Sequence, residues 1–194
     1  WENKVEIASG KPAKIGLGVI ANGRIGPGKD STGLNSYSFN TQFAGATYDS
    51  DGKIIGVLTD IMEVASVNGH SSPVLTGFPG QSYNFDSDGD GKIDGTKTQT
   101  PENFVEEVSK WITKREKGDA YKLPGGSWKE EMERFEAYFI GKTESDLLKF
   151  ESSLDAKGKT DAVTGATISV KDAHGNTIGA ILETWQNAKD IGGK

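Results

Sequence analysis

The sequence predicts an α+β fold, in which an antiparallel β-sheet is covered by helices mainly on one face. Strand-type alternation and turn motifs are concentrated in the first 65 residues, whereas the apolar spacing of amphipathic helices begins only after residue 100. The length of 194 residues is enough for one domain with a buried core. We therefore predict a single domain over residues 1–194, either complete in itself or one unit of a larger or tandem protein.

The composition excludes several classes of function. Charged residues make up 26% of the chain and apolar residues 34%, as in soluble globular proteins, and no apolar run approaches the roughly 20 residues of a membrane helix. The net charge of -6 disfavours nucleic acid as a partner. Because the chain has no cysteine, it forms no disulfide, no thiolate metal site and no iron–sulfur cluster. The first residue is Trp1, which is typical of a processed chain.

The first predicted strand follows a polar lead-in over residues 1–12. It spans Lys14–Ala21, where Gly16 and Gly18 would let a neighbouring backbone approach closely. Residues 22–33 are predicted to be a surface loop. This loop has the glycine and lysine spacing of a phosphate-binding P-loop, but Asp30 stands where a magnesium-binding Ser or Thr is required, so we interpret it as a turn.

A long antiparallel hairpin is predicted next. Residues 37–48 alternate between the two faces of a strand, the turn motif Asp49-Ser-Asp-Gly52 follows, and strand spacing resumes over Lys53–Ala65. The alternation places Tyr37, Phe39 and Phe43 on one side of the strand and Ser38, Asn40 and Gln42 on the other. Such a period is typical of a half-buried strand.

Residues 66–100 are predicted to be a long loop region that contains an acidic stretch. Carboxylates at alternate positions followed by Gly91 resemble the start of a calcium loop. Position twelve is Lys97 and not a bidentate Glu, which excludes a complete EF-hand. Two interpretations stay open: a weak calcium site, or an acidic turn bent by its Asp-Gly pairs. The candidate calcium ligands are Asp86, Asp88, Asp90, the carbonyl of Lys92, and Asp94.

Helices are predicted in the rest of the chain. Pro101 opens the first, Ser127 and Glu130 form the capping box of the second, and residues 143–150 form a short third helix. The last helix begins either near Ser169 or after Asn176. The predicted buried stripes are Phe104, Val105, Val108, Trp111 and Ile112 in the first helix, Trp128, Met132, Phe135 and Phe139 in the second, and Ile178, Ile181, Leu182, Trp185 and Ala188 in the last.

The stretch DAVTGATIS, residues 161–169, is the segment whose residues suggest chemistry. Thr164 and Thr167 offer hydroxyls, and Gly165 and Ala166 remove bulk between them. Without further context, such a stretch is an ordinary polar loop that caps a helix. A second copy of its centre, Gly45-Ala46-Thr47, lies within a strand pattern and is interpreted as structural.

Together with Asp161 and Ser169, the TGAT sequence resembles the flavinylation motif of FMN-binding domains. These domains occur in the C subunit of the sodium-translocating NADH:quinone reductase, in Rnf complexes and in Gram-positive electron-transfer lipoproteins. The stretch GSWKEEMERFEAYFIGKT is similar to a helix of those lipoproteins and favours them. The resemblance implies an FMN-binding-domain-like fold. It also implies that a flavin transferase cleaves FAD and joins FMN to Thr167 through a phosphoester.

The resemblance further implies roles for the rest of the motif. Thr164, Gly165 and Ala166 would shape the approach to Thr167, Asp161 would help the transferase recognise or activate the hydroxyl, and Ser169 would bind phosphate or cap the helix. The expected function is an extracellular electron carrier with FMN as its cofactor. It would be anchored to the cell surface by a segment outside this chain, between a membrane or surface donor and an external acceptor.

Two alternatives stay open. One is a calcium-stabilised surface binding module without a redox role, for which the acidic stretch would be the main evidence. The other is a flavin-dependent reductase of a dedicated small molecule. The sequence has no arrangement of nucleophile, base and orienting group, which favours a carrier over a dedicated enzyme.

Overall fold

The fold is built on a four-stranded antiparallel sheet. The computed structural model describes residues 6–8, 10–29, 35–65, 82–85, 95–98, 112–173 and 175–191. The strands of this sheet are β1 (Lys14–Lys29), β2 (Asn35–Tyr48), β3 (Ile54–Ala65) and β10 (Lys189–Asp190). Their order in the sheet is β10-β1-β2-β3.

Three short antiparallel ribbons accompany the main sheet. They pair β4 (Ser82–Phe85) with β5 (Gly95–Thr98), β6 (Lys122–Leu123) with β7 (Gly126–Ser127), and β8 (Lys171–Asp172) with β9 (Gly175–Asn176). A 3₁₀ turn at Gly118–Ala120 precedes β6.

Three α-helices are described, and each begins at a side-chain cap. Helix α1 (Trp128–Phe139) begins at the predicted capping box of Ser127 and Glu130. Helix α2 (Glu144–Ser152) begins at a second capping box, formed by Thr143 and Asp146. Helix α3 (Thr177–Gln186) begins at Asn176, whose side chain accepts a hydrogen bond from the Gly179 amide. Such caps satisfy backbone N–H groups that have no partner within the helix. None of the three is long and apolar enough to cross a bilayer.

The core lies between the sheet and the helices, which confirms the α+β prediction. Helix α3 packs on β1 and β2, α1 packs against β3, and α2 packs on α3. The predicted stripe of α1 is buried at all four positions, and Ile178 and Ile181 of α3 are fully buried. Leu182, Trp185 and Ala188 are partly buried against the same core.

Close packing of α3 on the sheet depends on two glycines of β1. A Cβ atom at Gly16 would lie 1.9 Å from the carbonyl oxygen of Thr184, and one at Gly18 would lie 1.9 Å from that of Ala180. Heavy atoms cannot approach so closely, so any side chain here would push the helix away. The predicted close approach of a backbone at these glycines is confirmed.

Strand β2 does not follow the usual pattern in which apolar side chains face the core and polar side chains face solvent. Ser38, Asn40 and Gln42 are buried against the core, whereas Phe39 and Phe43 are 44% and 38% exposed. The opposite face of the sheet therefore carries an exposed apolar surface. We call it the outer face, and its exposed apolar members are Ile15, Leu17, Val19, Ile25, Phe39 and Phe43.

Both edges of the main sheet are partly covered by other parts of the chain. At the β3 edge, Glu136 accepts from the Thr59 amide, Arg115 donates to the Thr59 carbonyl, and the Lys114 amide donates to the Ile61 carbonyl. At the β1 edge, β10 pairs with two residues only. Beyond it, Glu183 accepts from the Val19 amide and Asn187 donates to the Leu17 carbonyl. Side chains thus satisfy backbone groups that would otherwise be open to another strand.

Two loop predictions were wrong. Strand β1 continues to Lys29 and pairs with β2 from Lys14 onward, so the segment predicted as a loop from residue 22 is largely strand. The predicted loop region 66–100 contains β4 and β5. The helix predicted from Pro101 lies outside the described residues except for Ile112, which is not helical.

Candidate functional site

The TGAT segment forms a tight loop that ends at β8. Val163 and Val170 are buried and anchor its two ends. Between them the Ala166 amide donates to the Val163 carbonyl, and Gly165 has a φ of 78°, a left-handed conformation that glycine adopts without strain. This turn leaves Thr167 exposed, while Ala166 packs partly on the core.

Thr167 is hydrogen-bonded to Glu131 of α1. The Thr167 hydroxyl donates to the Glu131 carboxylate at 2.8 Å to Oε1, and the Thr167 amide donates to Oε2 at 2.6 Å. The Ile168 amide donates to the same Oε2 at 2.9 Å. Glu131 is 0% exposed, so a fully buried carboxylate fixes both the backbone and the hydroxyl of Thr167.

Space for this carboxylate depends on Gly125. A Cβ atom at position 125 would lie 2.6 Å from Glu131 Oε1 and 3.1 Å from the Gly165 carbonyl oxygen. Arg134 bridges the same two loops, since its Nη1 donates to the Gly125 carbonyl at 2.9 Å and to the Gly165 carbonyl at 2.8 Å. The first two turns of α1 therefore clamp the TGAT loop in one position.

A cavity of about 510 Å³ opens beside Thr167. This volume lies within the 300–1,000 Å³ range of small-molecule sites, which combine apolar and aromatic walls with a few polar groups. Apolar and aromatic side chains form much of the wall, and Lys159 stands at the Thr167 end, where its Nζ donates to the Thr167 carbonyl at 2.6 Å. The lining residues are Ile61, Lys114, Tyr121, Leu123, Pro124, Trp128, Lys159, Thr167, Ile168, Ser169, Asp172, Gly175 and Thr177.

A partly buried charge network adjoins the wall of this cavity at Lys114. Lys114 Nζ lies 3.0 Å from Glu63 and 5.6 Å from the centre of the Tyr121 ring. Glu63 also accepts from Arg24 at 2.8 Å. Burial alone would raise the pKa of Glu63, but the charges and hydrogen bonds of Lys114 and Arg24 outweigh it and lower this pKa to about 2.

The structure brings only part of the predicted motif to the cavity. Thr167 and Ser169 line it, whereas Thr164 and Gly165 lie on the exposed turn. Asp161 is exposed and makes no hydrogen bond or ion pair to any residue that the structure describes.

Helix α3 does not follow the motif directly. It begins after Asn176, and its first amides are satisfied because those of Thr177 and Ile178 both donate to the Val170 carbonyl. Of the two helix starts that the sequence left open, the one after Asn176 is therefore correct, and no helix N-terminus lies at Ser169 to support a phosphate.

The acidic stretch is not among the described residues. Asp86, Asp88, Asp90, Lys92 and Asp94 all lie outside the described residues, between β4 and β5. Within the described ranges, no group of three or more acidic or histidine side chains is arranged to hold a metal ion. The calcium interpretation stays a prediction.

Sequence reasoning missed Glu131, Arg134 and Lys159. Glu131 could have been found, because it follows Trp128 by three positions and precedes Phe135 by four, which places a carboxylate on the buried stripe of α1. A charge at such a position requires partners. Arg134 and Lys159 act through backbone carbonyls, and no sequence pattern marks such contacts.

Comparison with known proteins gives one distant relative. A chlorophenol reductase of Desulfitobacterium hafniense is 25% identical over 215 residues, and the match covers 91% of this chain. The chain spans 58% of that protein's length. No protein-family model matches the chain. No solved structure matches it either.

Proposed function

We propose that this chain is an electron-transfer flavoprotein that carries FMN covalently, through a phosphoester to Thr167, on an FMN-binding-domain-like fold. One observation carries the proposal. Thr167 lines a cavity of about 510 Å³, and the wall of the same cavity includes Trp128 and Tyr121. An aromatic wall beside an anchored hydroxyl fits a flat, partly apolar ring tethered by its phosphate.

The residues present fit such a group. Thr167 would supply the anchoring oxygen, Trp128, Tyr121 and Leu123 an apolar surface for the ring, and Lys159 a positive charge near the phosphate. When bound, FMN would supply one- and two-electron chemistry. The clamp formed by Glu131 and Arg134 would keep the anchor in a constant position relative to this wall.

A redox role is also supported by the distant relative, whose name is that of a reductase. The partners that follow are a flavin transferase that uses FAD, a membrane or surface electron donor and an external acceptor. The carrier would then work outside the cell, anchored to the surface. Covalent attachment suits this setting, because a freely dissociating flavin would be lost by dilution.

The attachment is tested by intact mass spectrometry of protein coexpressed with a flavin transferase. The wild-type chain should gain the mass of one FMN phosphoester, and Thr167→Ala should gain none. Thr47→Ala is the matched control, because Thr47 ends the second Gly-Ala-Thr sequence within β2, and this variant should be modified like the wild type. An adduct that persists in Thr167→Ala would place the attachment elsewhere. A wild-type chain that gains no flavin in the same coexpression would contradict the proposal.

A flavin-dependent reductase of a small molecule is the second candidate. The name of the distant relative favours it, since that protein is a reductase of chlorophenol. Steady-state kinetics of the flavin-loaded protein separate the two candidates. Saturable turnover of a chlorinated phenol would favour the reductase, whereas comparable rates with chemically unrelated acceptors would favour the carrier.

A further inference from the structure

The contact between Glu131 and Thr167 cannot survive attachment unchanged. In the structure the Thr167 hydroxyl is the donor and the Glu131 carboxylate is the acceptor, with 2.8 Å between Oγ1 and Oε1. An ester oxygen has no proton to donate. Esterification would therefore leave Glu131 Oε1 facing an oxygen that can only accept, with a phosphate anion beside it.

The hydrogen bonds that the structure describes for Glu131 come from neutral groups, namely the Thr167 hydroxyl and the amides of Thr167 and Ile168. Glu131 is fully buried, and within the described part of the chain no Lys or Arg side chain forms an ion pair with it. Arg134 and Lys159 are close, but their described hydrogen bonds go to backbone carbonyls. A buried carboxylate that faces a second acceptor oxygen at hydrogen-bond distance is stabilised when it takes up a proton, because the proton restores a hydrogen bond between the two oxygens.

The carboxyl group is also prevented from turning away. Its Oε2 accepts from the amides of Thr167 and Ile168, and Gly125 encloses Oε1 so closely that a Cβ atom there would lie 2.6 Å away. Glu131 lies between Trp128 and Met132 of the core face of α1, both buried. Protonation at Oε1 preserves all of these contacts, because Oε2 continues to accept both amides.

We propose that Glu131 becomes a neutral carboxylic acid when Thr167 is esterified, so that it changes from hydrogen-bond acceptor to donor toward the modified residue. This inference rests on the proposed function. The reaction balances with FAD as the co-reactant. The Thr167 oxygen forms a bond to the phosphorus on the flavin side of FAD, and the phosphoanhydride bond breaks so that AMP leaves. The proton of the Thr167 hydroxyl is transferred to Glu131. The total charge is the same before and after.

Carbon-13 NMR of protein labelled at the glutamate side-chain carboxyl carbon tests the protonation directly. We expect the Glu131 resonance, assigned by its absence in Glu131→Gln, at a carboxylate position in the untethered protein. In the tethered protein it should move to a carboxylic-acid position. Glu136, the other buried carboxyl of α1, is hydrogen-bonded to Thr59 and serves as the control that should not move. A Glu131 resonance that stays at the carboxylate position after tethering overturns the inference.

The Glu131→Gln variant gives an independent readout. Glutamine resembles the proposed acid, because its carbonyl can accept from both amides while its NH₂ group donates toward Thr167. We expect the variant to unfold about 2–4 °C below the wild type when both are untethered, and at the wild-type temperature when both are tethered. An equal loss in both forms contradicts the inference. Absence of any adduct on the wild type would instead refute the proposed function and the inference with it.

Discussion

Buried charged side chains are the residues on which the site and the fold both depend. Glu131 is fully buried and its described hydrogen bonds are all to the TGAT loop, whereas Glu63 is half-buried between two cations. A carboxylate in either setting stabilises the fold only while its partners remain, because a buried charge without them is costly. The two residues therefore make separate contributions, which can be measured separately.

Glu63 predicts a specific loss of stability in acid. Its pKa is about 2 in the folded protein, against 4.5 as its ordinary value, so the ionised form is favoured by folding. Because the folded-state pKa is depressed, this stabilisation is present above about pH 4.5 and is lost as the pH falls toward about 2. The loss should amount to about 3 kcal/mol in the free energy of unfolding.

Urea unfolding of the wild type and of Glu63→Gln across this range measures the effect. The variant should be less stable at neutral pH, since it leaves Lys114 and Arg24 without their common anion, and its stability should change less with pH. Glu136→Gln is the control, because burial raises the pKa of Glu136 and its protonation in acid does not add to the loss. Parallel pH profiles for the wild type and Glu63→Gln would contradict this assignment.

At the scale of elements, helix α1 and strand β1 organise the molecule. One face of α1 supplies the core, and its first two turns clamp the TGAT loop through Glu131 and Arg134. Strand β1 supplies the glycines on which α3 rests. A change in either element should therefore affect the stability of parts that are distant in sequence.

Substitution of Gly16 or Gly18 by Ala should displace α3 from the sheet. Each new Cβ atom would lie 1.9 Å from a carbonyl oxygen of the helix, so we expect a loss of about 2–3 kcal/mol in the free energy of unfolding. Gly45→Ala in the neighbouring strand is the matched control, because nothing lies within 4 Å of its added Cβ atom. The control should be stabilising by about 0.5–1 kcal/mol. Equal effects at the three positions in chemical denaturation would refute this packing.

Elements with a local cause were predictable from the sequence. The capping box at Ser127 fixed the start of α1, and the Asp49–Gly52 turn fixed the hairpin of β2 and β3. The alternation in β2 correctly grouped Phe39 with Phe43 and Ser38 with Asn40, but it could not show which group is buried. That choice depends on α3, which sits against the small and polar face beside Gly16 and Gly18.

For the candidate site, the sequence pointed to Thr167 but not to its surroundings. Thr167 belongs to a contiguous motif, whereas Glu131 lies 36 positions away and meets it only after folding. The same reason explains the helix start that was open at Ser169 or Asn176, because Val170 accepts the first amides of α3 through a tertiary contact. Contacts of this range have no signature in a single sequence.

At the scale of the whole molecule, the two faces of the sheet differ in what they contact. The inner face holds the core and the cavity, whereas the outer face, defined above by six exposed apolar residues, has Leu17 at 61% exposure. A surface of this kind adds little to stability, because its side chains remain largely in water.

Lysine scanning of the two faces checks this assignment. Leu17→Lys should change the free energy of unfolding by less than about 0.5 kcal/mol, as at other exposed positions. Ala46→Lys, on the inner face of the neighbouring strand and 2% exposed, should prevent stable folding because it buries an unpaired charge. Circular dichroism with thermal unfolding distinguishes these outcomes. A well-folded Ala46→Lys protein would reverse the assignment of faces.

The side chains that close the two edges of the sheet have a consequence for how copies of this protein can coexist. Chains that expose unsaturated strand edges template one another into larger β-assemblies when they are crowded. Here Glu183, Asn187, Arg115 and Glu136 occupy those backbone positions from within the same chain. Many copies could therefore be held at high local density while each stays an independently folded unit.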